Sequence, residues 1–253
     1  MQTLMLAILA AGSWPSPEAS LALLPVPPLG TEVRIAIDAG HGAPGNTGNW
    51  GCHCQREADE TLLEARALAK RLRARGFKVL ETRTTPMGER YQARVAAIER
   101  FKPQLVVSLH TDARGEAWPR ETGEGGRTCW HNRSDPGFSV LWSEEGPRSI
   151  VTRRSEWGRT LSQELRTAGF REYSGDDYGS LYTTDAEPGC FVDARPMKQR
   201  VYFLRATTKV PVVIIETHHA LDPEEVARWR DEVTHDAFAS AVASAALKIV
   251  ENR

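Results

Sequence analysis

Four short runs of β-branched and other apolar residues set the main constraint on this chain: Val33 to Thr82 contains two, at Val33 to Asp38 and Phe77 to Thr82, and the others are Leu105 to Leu109 and Val210 to Ile215. Each is the length of a strand rather than a helix, and none alternates with polar residues. That pattern marks strands buried on both faces. Between the first two runs, Leu62, Ala65, Leu68, Ala69 and Leu72 recur at helical spacing over Ala58 to Arg75, and Gly76 supplies the stop. Arg90 to Phe101 repeats the amphipathic pattern before the third run. Apolar strands separated by such helices predict βαβ units, hence a mainly parallel sheet with helices on both faces.

The rhythm breaks at Ala113 to Pro136, which is rich in Gly, Glu and Arg and has no period, so it reads as an irregular surface insertion. Phe138 to Trp142 reads as an edge strand and Ser155 to Ala168 as a helix ending at Gly169. Asp222-Pro223-Glu224-Glu225 combines an N-cap, a proline at the first helical position and early acids, which is a strong helix start. The Ala-rich tail to about Val250 follows as one or two helices.

At the amino end, Leu4 to Ala11 is apolar but far short of the ~20 residues that span a bilayer, and no later run is longer. No transmembrane segment is expected. With Ser20 and Ala22 as a small-x-small site, residues 1–30 read as a signal-like segment followed by a Pro-rich extended linker, and the folded domain as 31–253. Export to the periplasm or cell exterior is the corresponding expectation. The charges, 32 Lys+Arg against 33 Asp+Glu, argue against nucleic acid as a partner, because affinity for a polyanion needs excess cations. Four cysteines, at 52, 54, 129 and 190, permit disulfides but allow three pairings. The Cys52-His53-Cys54 spacing is tighter than the usual zinc pattern.

Ligands of open parallel sheets bind beyond the carboxyl ends of the strands. After the first run stands Asp38-Ala39-Gly40-His41-Gly42, after the third His110-Thr111-Asp112, and after the last Glu216-Thr217-His218-His219. Glu57 opens the first helix, which starts at the same rim. Two His, a Glu and a spare Glu form a set suited to a catalytic zinc: three protein ligands, an open position and a base. No Gly-x-Ser-x-Gly elbow, phosphate loop or His-Glu-x-x-His helix offers a competing chemistry.

These residues resemble the zinc-dependent N-acetylmuramoyl-L-alanine amidases of the Amidase_3 type. The likeness rests on Ile35 to Gly42, Glu57, Thr82-Arg83, Arg94 with Ala96-Ala97, Val107 to Asp112, Leu204-Arg205, Pro211 to Thr217 and Asp222 to Glu225. In family members the ligand glutamate stands nineteen residues before the glycine that ends its helix; 76 − 57 = 19 favours Glu57 over Glu60. The resemblance implies a single α/β domain, phosphorylase/hydrolase-like, with a twisted, mostly parallel sheet of about six strands. It implies one Zn2+ on His41, Glu57 and His110, with Glu216 as the catalytic glutamate. The implied substrate is peptidoglycan, cut at the amide between N-acetylmuramic acid and L-alanine.

Arg83, Asp112, Arg205 and His218 are candidate substrate-binding groups, His218 or His219 as an oxyanion donor and the arginines as partners of stem-peptide carboxylates. His218-His219-Ala220-Leu221 and the cysteines of the Gly48 to Arg56 turn depart from the family pattern. Two alternatives therefore stand beside the amidase: a zinc hydrolase of another secreted amide, and a non-catalytic peptidoglycan-binding module.

Overall fold

The computed structural model describes residues 21–27, 32–122 and 126–251; the signal-like residues 1–20 lie outside the described residues. The expected βαβ alternation is present. Strand β1 (Arg34–Ala39) leads through a glycine-rich loop to helix α1 (Glu57–Ala74), then β2 (Lys78–Glu81), α2 (Tyr91–Phe101) and β3 (Leu105–Asp112). A separate hairpin, β4 (Trp118–Thr122) and β5 (Thr128–His131), precedes β6 (Ser139–Trp142) and α3 (Arg148–Thr167). The chain continues through β7 (Tyr182–Thr184), β8 (Cys190–Asp193), α4 (Tyr202–Ala206), β9 (Val212–His219), α5 (Pro223–Arg228) and α6 (Glu232–Glu251).

The main sheet has seven strands in the order β2-β1-β3-β9-β6-β8-β7, one more than the six or so expected. The four strands from β2 to β9 are parallel, and β6 pairs antiparallel to β9. Strand β6 is thus internal rather than an edge, because β8 covers its other side and all four of its residues are buried. The covering strands come from the stretch where the sequence offers no long apolar run. Insertion 113–136 is likewise more ordered than expected, since it contains the β4–β5 hairpin.

Two apolar layers hold the sheet. Leu62, Leu68 and Leu72 of α1, Trp157 and Leu161 of α3, and Phe238 and Val242 of α6 pack with Ile35, Ile37, Val107, Val213 and Ile215 on one face. Ile98 of α2 and Phe203 and Leu204 of α4 pack with Ala36, Val106, Val212 and Ile214 on the other. Fully burying such side chains is worth about 1.5–3 kcal/mol each before entropy is charged against it. Helix α6 is the one described helix long and apolar enough to cross a membrane, yet 67% of that stretch is buried against the domain. Residues 21–27 run without helix or strand, as expected of a Pro-rich segment, but they are seated on the body. Leu21, Leu24 and Val26 join the α3–α6 side of the core, and Ala22 N–H donates to Ala168 O at 3.0 Å.

Candidate metal centre

Register brings the site together. In the β3–β9 pair His110 stands beside Glu216, and β1 lies on the other side of β3. Immediately after β1, His41 takes a left-handed φ of 59° between two glycines, which turns its ring back over the strand ends. The same rim receives the first residue of α1, Glu57, because Glu57 N–H and Ala58 N–H donate to Asn49 O and Thr47 O at 3.0 Å each.

Three donor atoms converge there. His41 Nε2 lies 3.0 Å from Glu57 Oε2, His110 Nδ1 lies 3.0 Å from Glu57 Oε1, and the two ring nitrogens are 3.1 Å apart. Backbone N–H groups fix the carboxylate from behind: Asn49 donates to Oε2 at 3.0 Å and Thr111 to Oε1 at 3.1 Å. Burial works against ionisation of Glu57, but hydrogen bonds from His110 and His41 outweigh it and hold the carboxyl far below its ordinary range. Burial also opposes charging of His41, and the Glu57 contact overturns it, leaving that imidazole raised.

Asn46 is the residue that the sequence reading missed. Its Oδ1 is 2.8 Å from His41 Nδ1, and its Nδ2 donates to Tyr91 Oη at 3.0 Å. An acceptor on Nδ1 leaves the Nε2 lone pair facing the cluster, the arrangement metal-ligating histidines require. A polar residue five positions after a rim histidine, in a loop too glycine-rich to form regular structure, was the available signal. Close approach explains two of those glycines. A Cβ on Gly40 would lie 2.6 Å from the His110 ring, and one on Gly48 would lie 2.4 Å from Glu57 Oε2. The donor set therefore fits a single divalent cation in both chemistry and convergence, being two imidazoles and one ionised carboxylate.

Glu216 projects from β9 next to His110 and is half-buried. Burial first and the Asp112 carboxylate second push it up to about 8. Asp112 stands at the rim, where its Oδ2 accepts from Arg114 Nε at 3.1 Å. Arg205, on α4, has its guanidinium 5.0 Å from the Tyr202 ring, and Tyr202 in turn packs near Tyr91.

Two of the expected substrate-binding residues are placed elsewhere. Arg83 is 2% exposed and donates to the carbonyls of Gly40 and Ala58 at 3.0 and 2.8 Å, and to Thr85 O and Ala39 O. Its guanidinium clamps the His41 loop to the start of α1 rather than opening to a ligand. His218 is 1% exposed, stacks on Trp229 with ring centroids 5.5 Å apart, and meets Thr217 Oγ1 at 2.9 Å. Burial, then His219, pushes it down to about 3, so it is a neutral interior group behind Glu57. His219 is buried too and pushed down to about 4 by burial and Arg114. Sequence could not separate these from rim residues, because a bulge between His110 and Asp112 changes the register with β9 just there.

A sheet rim bearing two imidazoles, an ionised carboxylate and an adjacent glutamate is a hydrolase-type site whose first three groups could hold one metal ion. The chain belongs to the N-acetylmuramoyl-L-alanine amidase family, Amidase_3, whose model matches residues 35–248. It is accordingly an amidase of the peptidoglycan cell wall. The same fold is found in the amidase Ami1 of Mycobacterium smegmatis, at 16% identity and TM-score 0.66, with 87% of this chain and 98% of that one covered. AmiC2 of Nostoc punctiforme matches at 21% identity and TM-score 0.58 over 87% and 97% of the two chains. The catalytic domain of CwlV from Bacillus (Paenibacillus) polymyxa matches at 17% and 0.57 over 87% and 99%. No curated protein matches the chain by sequence.

Proposed function

We infer that this amidase is zinc-dependent and that His41, Glu57 and His110 hold the ion. The observation that carries this reading is the 3.0–3.1 Å convergence of His41 Nε2, His110 Nδ1 and the two oxygens of Glu57 at the sheet rim. A zinc ion there supplies Lewis acidity toward the scissile carbonyl and a charge that acidifies water and draws Glu216 back toward its ionised form. The chain's own residues do the rest. Glu216 takes a proton from the attacking water and returns it to the nitrogen of L-alanine as the amide to the muramoyl lactyl group breaks. Asn46 fixes the His41 ring, while Asn49 and Thr111 hold the Glu57 carboxylate ionised and in place. Asp112 and Arg205 serve substrate positioning. Arg83 and His218 act through the scaffold.

A binding module would have no use for Glu216 beside three ligands, which favours the catalytic reading over the module. Export fits both the substrate and the Cys54–Cys129 disulfide, since such bonds persist in oxidising compartments. On this reading the signal-like segment lies within residues 1–30 and the amidase domain is 31–253. Purified protein incubated with intact sacculi should release free stem peptides detectable by mass spectrometry, and a chelator should abolish release. Binding without release would favour the module, and release undiminished by chelation would remove the metal from the account.

A further inference from the structure

Six of the seven tryptophans lie in the described residues, and they divide into two groups. Trp142, Trp157 and Trp229 are core, whereas Trp50, Trp118 and Trp130 are 37%, 62% and 46% exposed. All three exposed indoles belong to two segments joined by one disulfide. Cys54, in the loop that runs from Gly48 into Glu57, is bonded to Cys129 of strand β5. The hairpin pairs only with itself and joins no larger sheet, so core packing does not account for its exposed aromatics.

Pairing sorts the three rings. Trp118 faces His131 across the hairpin, and Trp130 faces Pro119. Side chains alternate along a strand, so Trp118, Cys129 and His131 share one side and Trp130 projects from the other. The Cys129 side is turned to the loop, because Cys129 reaches Cys54 and the Arg127 guanidinium lies 3.8 Å from the Trp50 ring centroid. The loop side of the hairpin therefore carries an indole at each end: Trp50 under Arg127, and Trp118 where the chain has just left β3. Both ends connect along the chain to elements of the metal centre. Asn49, which precedes Trp50, donates to Glu57, and β3 carries His110 and Asp112.

We propose that Trp50 and Trp118 form a binding site for the glycan strand of peptidoglycan, whose neutral N-acetylated pyranose rings stack on the two indoles and present the lactyl amide to His41, His110 and Glu216. Indole faces carry the negative end of the ring quadrupole and suit the weakly positive C–H faces of a sugar. Charge cannot substitute for this contact, since 32 cationic and 33 acidic residues leave no general attraction for a wall polymer. The choice of occupant rests on the amidase reading above; the site itself rests on the exposed rings and their staple.

Peptide-free glycan strands titrated into the protein with a chelator present, followed by tryptophan fluorescence and by pull-down, test the proposal without requiring turnover. Trp50→Ala and Trp118→Ala should each weaken binding about tenfold or more, while Trp130→Ala, on the far side, should change it by less than about twofold. Thermal denaturation checks that each variant folds, and Trp50→Phe, which keeps a ring, should bind between wild type and Trp50→Ala. Equal binding by all variants, or an equal loss with Trp130→Ala, overturns the site. Peptide release from sacculi is scored separately on wild-type protein. Glycan binding without release would remove the amidase reading and leave the site; release without glycan binding would do the reverse.

Discussion

Both oxygens of Glu57 are engaged twice, by a backbone N–H and by an imidazole nitrogen, which holds one carboxylate orientation at the mouth of α1. Glu216 has no such restraint: it is half-buried beside His110, and its raised proton affinity comes from burial and Asp112. On the proposed assignment, that contrast separates ligand from base. Glu216→Gln should keep zinc at wild-type stoichiometry while stem-peptide release falls by about 10²–10⁴, the range general acid–base groups contribute; a near-wild-type rate would remove Glu216 from the base role. The interior histidines give a pH prediction. His218 and His219 are pushed down to about 3 and 4, against an ordinary value near 6.5. Between those values the unfolded chain binds protons that the folded histidines do not, so their contribution to stability is full above pH ~6.5 and is lost as pH drops toward 3. The buried carboxyls of Glu216 and Glu225, raised to about 8 and 7, make an opposite contribution. The slope should approach 1.4 kcal/mol per pH unit for each histidine, and in urea titrations His218→Phe should flatten it; an unchanged slope would contradict the assignment.

The elements that sequence made legible are those whose pattern is long and regular. Strands β1 and β3 and helices α1 and α2 fall within a residue or so of their expected starts, because a continuous apolar run or a five-residue helical stripe leaves little choice. Of the rim candidates, His41, His110 and Glu216 followed from the same strand ends, and Glu57 from the start of the first helix together with the family spacing. What was not legible depends on partners distant in sequence. Strands β7 and β8 are three and four residues long, too short to show a period, and they turn β6 from an edge into an internal strand. Arg83 looks like any strand-end arginine until the carbonyls of Gly40 and Ala58 are seen around it. The Cys54–Cys129 pairing closes a 75-residue separation that spacing could not choose. Since a lone hairpin is marginal in water, that bond orders β4–β5. The Cys54→Ser/Cys129→Ser variant should show faster amide exchange over 118–131, with β1, β3 and β9 unchanged. Undiminished protection of the hairpin would mean that its own pairing and the Asn132 N–H bond to Leu221 O at its end, 2.9 Å, suffice.

At the scale of the molecule, four parallel strands deliver the chemistry to one rim while α1, α3 and α6 cover one face of the sheet and α2 and α4 the other. Residues 21–27 extend that core: Leu24 N–H donates to Ser240 Oγ at 3.0 Å, and three apolar side chains of the segment rest against it. A chain beginning at residue 28 should therefore lose roughly 2 kcal/mol, and with it several degrees of Tm at about 2–4 °C per kcal/mol; an unchanged Tm would reduce the segment to a tether. His41, Glu57 and His110 are proposed to hold one zinc ion on which peptidoglycan cleavage depends. Elemental analysis of the purified wild type and of His110→Ala tests it most directly. One zinc per wild-type chain and almost none in the folded variant is the result expected. Equal zinc in both would contradict it.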